Sequence, residues 1–429
     1  MVILLVLAIP GRPGYAQPQP EQAPSVAPAA EAPLARPEAE SSPPVPATVD
    51  TPTTAAAQPD AGLRLTYDKG IAFAADDGRF ALKIAFRNQI RFESVRATED
   101  GSEFESRISI PRARLQVEGN VFGKDTRYKL ELGLGDTGSF SFVRDLYVDK
   151  RLAAAPIWLR AGQWKRPFNR QELVSDFASE FNERANTAAF AGGGRDIGFA
   201  LHNDYEKSPD GLEWAIGVFN RFSGGSDRPV VPAACNQDMT TGAITCATSP
   251  ASNVPGDFGP AFVVRAGWNM GGIKGYSEGD LEGGPLRLAV GASYKIDLAN
   301  LARQGEDSVA DNLSHGGEVD AMVKASGASV QAGLYLMKLK SADAEYGVFV
   351  QPGYVVVPRR AQVAARFAYA PVGAREQIEA RAAFTWFWEG HAWKWASDIG
   401  MLKMTGEDPM TMATDKPDLQ LRSMLQLTL

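Results

Sequence analysis

Leu419-Gln420-Leu421-Arg422-Ser423-Met424-Leu425-Gln426-Leu427-Thr428-Leu429 alternates almost without fault. Leu419, Leu421, Leu425, Leu427 and Leu429 point one way, and Gln420, Arg422, Gln426 and Thr428 the other, because a strand turns successive side chains to opposite faces. Such a strand either buries its leucines in the core of a soluble sheet or turns them to lipid, with the polar face on a wet lumen. The rest of the chain decides between the two.

The chain has 429 residues, of which 44% are hydrophobic, 9% aromatic and 42 are glycine. Past residue 16 there is no apolar run of about 20 residues, the length a membrane helix needs. If this chain crosses a membrane it does so as a closed barrel, since lipid leaves no backbone polar group unpaired. Residues 1–16 read as a secretory signal: an apolar core, Val2–Ile9, then Gly14-Tyr15-Ala16 at the small-residue positions of a cleavage site. No basic stretch precedes that core, which points to an atypical signal or to a start further upstream. Residues 17–62 are rich in Pro, Ala, Glu and Gln and nearly devoid of large apolar side chains. That composition buries too little surface to offset chain entropy and reads as a disordered periplasmic linker. The remaining domain is 63–429. Within it Cys235 and Cys246 stand close together in a Gly/Pro/Thr/Asn-rich stretch. In an exported chain this spacing predicts one loop disulfide.

From residue 80 onward the same alternation recurs. Phe80, Leu82, Ile84, Phe86, Ile90 and Phe92 oppose Lys83, Arg87, Gln89 and Arg91. Ala113, Leu115, Val117 and Val121 oppose Arg112, Arg114, Gln116, Glu118 and Asn120, and Tyr128, Leu130, Leu132 and Leu134 oppose Arg127, Lys129 and Glu131. Further segments fall near 142–151, 156–165, 195–204, 212–222, 260–270, 286–298, 315–326, 328–340, 344–357, 361–371, 376–389, 391–403 and 418–429. The total is sixteen, an even number as bacterial barrels require. Connections alternate too: long and polar at one end, as in 166–194 and 223–259, and mostly short at the other, as in 122–125 and 358–360. The stretch 271–285 is longer than this rule predicts. Aromatics at strand ends, among them Trp158, Trp164, Trp386, Trp388, Trp393, Trp395, Tyr354 and Tyr369, are expected to form interfacial girdles. A soluble β-sandwich is the competing fold, but it would call for shorter loops.

Several ordered motifs resemble the phosphate-selective porin O/P family. They are Pro111-Arg-Ala-Arg-Leu-Gln-Val-Glu-Gly-Asn-Val-Phe122, Val143-Arg-Asp-Leu-Tyr-Val-Asp149, Leu159-Arg-Ala-Gly-Gln-Trp-Lys-Arg-Pro-Phe-Asn-Arg-Gln-Glu172, Phe181-Asn-Glu-Arg184 and Arg195-Asp-Ile-Gly198. Gln351-Pro-Gly-Tyr-Val-Val-Val-Pro358 and the terminal strand follow in the same order. The resemblance covers roughly residues 65–429. It implies an all-β transmembrane antiparallel barrel of about 16 strands in the bacterial outer membrane, trimeric, with a long third loop folded into the lumen. It also implies lumenal arginines and lysines that handle phosphate. The chain departs from the family at Leu429, where the assembly machinery commonly reads Phe or Trp.

A diffusion pore needs no catalytic group; it needs a lumen charged enough to replace part of a solute's hydration shell yet weak enough to release it. Guanidinium forks suit phosphate and carboxylate better than ammonium does. The candidate pore-lining, anion-binding set is Lys83, Arg87, Arg91, Arg112, Arg114, Arg127, Lys129 and Arg160 on the strands, with Arg166, Arg170 and Arg184 in loop 166–194. That loop also carries Glu172, Asp176, Glu180 and Glu183, so it is mixed in charge. The same arginine faces could instead brace a wet barrel wall through Arg–Glu pairs. Net charge does not discriminate: it is −7 overall, of which −4 lies in residues 1–60.

Enzymatic readings find little support. His202, His315 and His391 lack ligand spacing, Ser223–Ser226 is not a nucleophile elbow, and no phosphate cradle surrounds Gly192–Gly194. The expectation is therefore a passive channel for small anions, phosphate or polyphosphate among them, and not an enzyme. A weakly selective porin, a structural barrel tethering the envelope and a soluble periplasmic β protein are the alternatives. Expected partners are outer-membrane lipid, further copies of the chain in a homotrimer and small anionic solutes. No nucleic acid, cofactor or metal is expected.

Overall fold

The computed structural model describes residues 62–429 apart from 97–102, 135–141, 153–155, 221–231, 238–243, 249–259, 299–313, 339–342, 373–374 and 407–416. The signal and linker expected over 1–16 and 17–62 thus lie outside the described residues, save Gly62. The strands are β1 (Leu63–Tyr67), β2 (Ile71–Ala75), β3 (Ala81–Arg96), β4 (Glu105–Asn120), β5 (Thr126–Gly133), β6 (Phe142–Arg151), β7 (Trp158–Lys165), β8 (Arg195–His202) and β9 (Gly211–Phe219). There follow β10 (Pro232–Gln237), β11 (Ile244–Thr248), β12 (Ala261–Met270), β13 (Arg287–Asp297), β14 (Ser314–Ala325), β15 (Ala328–Lys338) and β16 (Glu345–Val357). The last four are β17 (Ala361–Val372), β18 (Arg375–Glu389), β19 (Trp393–Thr405) and β20 (Asp418–Thr428). Two short helices, α1 (Arg170–Leu173) and α2 (Asn186–Ala191), lie in the third long connection.

Strands β3–β9 and β12–β20 pair antiparallel in succession, and β20 pairs back onto β3. That closes a barrel of sixteen strands, so each wall strand has a neighbour on both sides. The quoted terminal strand is the closing one. Its register runs from Leu419 opposite Arg96 to Thr428 opposite Arg87, and Leu429 exchanges both backbone hydrogen bonds with Phe86, at 2.8 and 2.9 Å. Leu421, Leu425 and Leu429 are exposed on the outside, whereas Arg422, Met424 and Gln426 are buried within.

The period-two pattern therefore has physical content on every wall strand. Phe86, Ile90, Val264, Leu334, Val350, Phe367 and Ile399 belong to a continuous exposed apolar band, the surface a lipid-facing barrel requires. Polar groups on that outer face are largely satisfied locally: Ser94 with Ser106, and Ser423 with both Ser397 and Trp395.

Three features go beyond the sequence pattern. First, β3 begins below the end of β20, so its Ala81–Ile84 edge has no partner from that strand; the hairpin β1–β2 covers it, Ile71 opposite Ile84 and Ala74 opposite Ala81. Second, β4 carries a bulge against β3 between the pairs Gln89–Arg112 and Arg91–Ser109. Pro111 falls there, where a residue without an N–H is tolerated, and the bulge switches the parity of the inner face from Arg112 to Ser109. Third, Trp158 and Trp164 are buried, not part of an outer girdle, because they share the inner parity of Arg160. Trp388 and Trp395 are exposed as expected, and the Trp388 ring packs tilted on Trp393 with centroids 5.0 Å apart.

Connection 223–259 contains the hairpin β10–β11, of which the backbone alone is described. Its register sets Cys235 directly opposite Cys246. A disulfide there is expected to stabilise the hairpin by about 3 kcal/mol and to leave no thiol reactive with a maleimide in the unreduced protein. Two reactive thiols per chain would rule it out.

Candidate functional site

Strand parity sends the cations of β3–β7 inward, where they meet acids from the same strands and from residues 166–194. Glu131 of β5, nearly inaccessible to solvent, is the hub. Arg87 bonds it directly, with Arg114 at 3.3 Å, Arg195 at 3.6 Å, Arg144 at 3.8 Å and Lys129 at 3.9 Å. Asp145 of β6 takes Arg195 at 2.7 Å and Lys129 at 2.8 Å. Arg160 grips Asp149 with two bonds, at 2.7 and 2.9 Å, and reaches Glu206 at 3.0 Å. Arg127 pairs with Asp204 at 2.9 Å and lies 3.5 Å over the Trp158 ring. Lys83 faces Asp68 at 3.7 Å.

Along this wall lies an open cavity of about 670 Å³. Nine basic side chains line it, Lys83, Arg87, Arg114, Arg127, Lys129, Arg160, Lys165, Arg195 and Lys207, against six acidic ones, Glu118, Glu131, Asp145, Asp149, Asp204 and Glu206. Tyr147, Trp164 and Tyr276 also contribute.

The segment 166–194 makes polar contacts with inward-facing residues all around the wall. Asn169 and Arg170 donate backbone N–H groups to Glu318 of β14, both at 2.8 Å. Asn182 N–H donates to Asp398 of β19 at 3.0 Å, and Asn186 N–H to Glu379 of β18 at 2.9 Å. On the β3–β4 side Asp176 accepts Arg114 at 2.6 Å and lies 3.4 Å from Arg112, while Glu183 accepts Arg112 at 2.5 Å and also Arg91. Arg184 turns back on Asp176 at 2.5 Å. Burial alone would raise the Asp176 carboxyl, but Arg184, Arg112, Arg114 and Lys165 hold it well below the usual carboxylate range. Burial likewise raises Glu183, and Arg112 and Arg91 overcome it, bringing the group down to about 2. Both acids are thus ionised at any physiological pH. Apolar contacts seat the segment as well: Phe181 packs on Ala364 and Ala383, and Phe168 joins a cluster with Trp164, Phe219 and Phe349.

Six of the eleven candidate cations, Lys83, Arg87, Arg114, Arg127, Lys129 and Arg160, line the large cavity. Arg112 and Arg184 line a small crevice beneath residues 171–184. Arg91 lies beside them on Glu183. Arg166 and Arg170 are buried, Arg166 against the Gly192 and Gly193 carbonyls and Arg170 against Asp320 and the Gly275 carbonyl. Lys165 and Arg195 line the cavity but were not among the candidates. Their positions opposite one another across β7 and β8 become visible only in the register. On later strands Arg366, Arg381 and Arg422 form a second relay with Glu379 and Asp398. Their inner parity was readable, but it gave no sign that they meet.

A closed sixteen-stranded barrel with an apolar outer band and a charged interior is the architecture of a bacterial outer-membrane porin, and that is the class of this channel protein. Over residues 82–228 the chain matches the family model for phosphate-selective porin O and P, the family its motifs resemble. The fold is similar to that of the anion-selective porin from Comamonas acidovorans, at 11% identity over 82% of this chain and 100% of that one, TM-score 0.54. It is similar to OmpTdeltaL8, a loop L8 deletion mutant of OmpT of Vibrio cholerae, at 11% identity over 82% and 100%, TM-score 0.52. The outer membrane channel DcaP of Acinetobacter baumannii aligns at 12% identity over 83% and 99%, TM-score 0.50. No curated protein matches the chain.

Proposed function

We propose that this porin is a passive diffusion channel that prefers small anions, and that its selectivity comes from the cation excess on the β3–β7 wall. The carrying observation is the convergence of five cations on Glu131 in a cavity wall with nine basic and six acidic side chains. A lumen with that balance raises the local concentration of anions, and its partly neutralised guanidinium groups bind weakly enough to release them. In this reading segment 166–194 lies across the lumen, and the protein is not an enzyme, since permeation asks for no catalytic group. Phosphate and polyphosphate fall within the solute class. A ladder of bare arginines for phosphate finds less support, because Arg87, Arg112, Arg114 and Arg127 each hold a carboxylate. The same pairs favour a second reading, in which the arginines chiefly brace the wall and the pore is weakly selective.

Reversal potentials across planar bilayers in a potassium chloride gradient distinguish the two. An anion-selective potential is expected. A cation-selective one would remove the proposal, and a potential near zero would favour the bracing reading. The family resemblance supports a homotrimer in outer-membrane lipid. Composition supports an export signal over 1–16, a periplasmic linker over 17–62 and a barrel domain over 63–429. Purified trimers without conductance would favour an envelope-tethering barrel.

A further inference from the structure

The connection 271–286, between β12 and β13, is longer than its neighbours at the same end of the barrel, and its course accounts for the length. Ile273, Gly275, Glu278, Gly279 and Asp280 are buried. Ile273 packs on Ala289 and Met322 of the inner wall. Asp280 pairs with Arg287 and accepts the Gly327 N–H at 2.9 Å, and Lys324 donates to the Lys274 carbonyl at 3.0 Å and to that of Ser277. The wall strands alternate in direction, so this connection and 166–194 start from opposite ends. Yet they meet. Glu278 N–H donates to the Ala178 carbonyl at 3.0 Å, and Glu180 N–H donates to Glu278 Oε2 at 2.8 Å.

We propose that residues 271–286 form a second constriction element, with Glu278 and Glu180 as a carboxyl clamp that holds segment 166–194 in place and confines permeation to the β3–β7 side. The inference rests on the channel reading above. The two carboxylates share one donor: Gln351 Nε2 lies 2.7 Å from Glu180 Oε2 and 3.0 Å from Glu278 Oε2. Ser329 Oγ donates to Glu180 Oε1 at 3.1 Å, and Gln362 donates to the same oxygen. Space for this approach is built into the backbone. A Cβ at Gly353 would lie 2.1 Å from Glu180 Oε1, and one at Gly279, whose φ is +72°, would lie 2.7 Å from Gln362 Nε2.

Two buried carboxylates this close resist double ionisation. Burial first, and then Glu278, push the Glu180 carboxyl up to about 7, against the bonds from Gln351 and Ser329 and the charge of Lys324. The charged groups facing the pair are Lys324 of β14 and Lys394 of β19, whose Nζ donates to the Ser179 carbonyl at 2.7 Å; the titratable His391 lies beside Lys394 in the β18–β19 turn. A group raised on folding contributes stability that is complete below its ordinary value and is lost as pH rises through the folded one. The clamp is therefore complete in mild acid, and it weakens as Glu180 ionises near pH 7.

Single-channel conductance of the full-length protein in planar bilayers, read from pH 5.5 to 8.5, tests this. Wild type is expected to show a conductance increase centred near pH 7. Glu180→Gln is expected to abolish the pH step, and Glu278→Gln, which leaves burial alone to raise Glu180, to move it to lower pH or remove it, with barrel integrity confirmed by retention of the folded band on unheated gels. A flat wild-type profile, or a step that survives in both variants, overturns the clamp while leaving the channel reading intact. A wild type without conductance overturns the channel reading itself, and the clamp with it.

Discussion

Replacing Glu131 with glutamine is expected to destabilise the barrel by about 3–5 kcal/mol, the usual range for removing one partner from a buried ion network, and to strengthen its anion preference. Glu131 lies within 4 Å of five cations. Some of these retain another acid: Arg114 keeps Asp176, while Arg195 and Lys129 keep Asp145. Arg87 does not. It also contacts Ser175 Oγ at 3.5 Å and the Phe177 ring at 4.6 Å. The substitution keeps shape and removes charge, so the loss reports electrostatics, not a cavity. Urea unfolding followed by electrophoretic mobility gives the stability, and reversal potentials give the selectivity. Glu118→Gln is the control for stability, since Glu118 is only half-buried and accepts its hydrogen bond from a neutral amide, Gln116 at 2.6 Å. If Glu131→Gln unfolds like wild type, water already solvates these cations and the wall is not a mutually dependent network. If stability falls but the reversal potential does not move, the cation excess is not what selects the solute.

The second large effect lies on the other face of the same wall. Phe367 of β17 projects outward at mid-strand between Val350 of β16 and Ala380 of β18, and it is 48% exposed. Phe367→Lys is expected to destabilise the barrel in lipid by about 2–4 kcal/mol, falling to about 0–1 kcal/mol for Tyr346→Lys near the strand end. A lysine at mid-bilayer cannot keep its hydration without drawing water or headgroups inward, whereas one at the rim stays in the interface. Reversible urea unfolding in liposomes measures both. Equal costs at the two positions would mean that Phe367 does not lie deeper in the bilayer than Tyr346.

Most of the wall was legible because both of its solvents leave a mark on every second residue. Lipid selects Phe86, Val350 and Phe367 on one parity; the aqueous interior accepts Arg87, Gln351 and Arg366 on the other. Turn residues then end each strand where the pattern ends. Alternation could not distinguish an aromatic girdle from an aromatic interior, which is why Trp158 and Trp164 fell on the unexpected side. Nor could it locate the β1–β2 hairpin, whose role is to cover a stretch of β3 edge that exists only once the barrel has closed.

The candidate site was legible only as an inventory. Arg87, Arg112, Arg114 and Arg127 were recognisable as inward-facing cations, but which acid each one holds depends on residues 44 to 77 positions away, such as Glu131, Glu183, Asp176 and Asp204. Lys165 and Arg195 are separated by a whole loop yet stand directly opposite each other. The clamp between Glu180 and Glu278 joins connections that leave opposite ends of the barrel, and nothing local distinguishes these two glutamates from others in polar loops.

By itself, then, the sequence determined the number of wall strands and the face each turns to lipid, because period-two patterning is a local response to two different solvents. The tertiary structure decided which charges pair, which cations line one cavity and which connections meet. Those outcomes depend on closure, register and the packing of distant segments, and no single stretch of chain carries them.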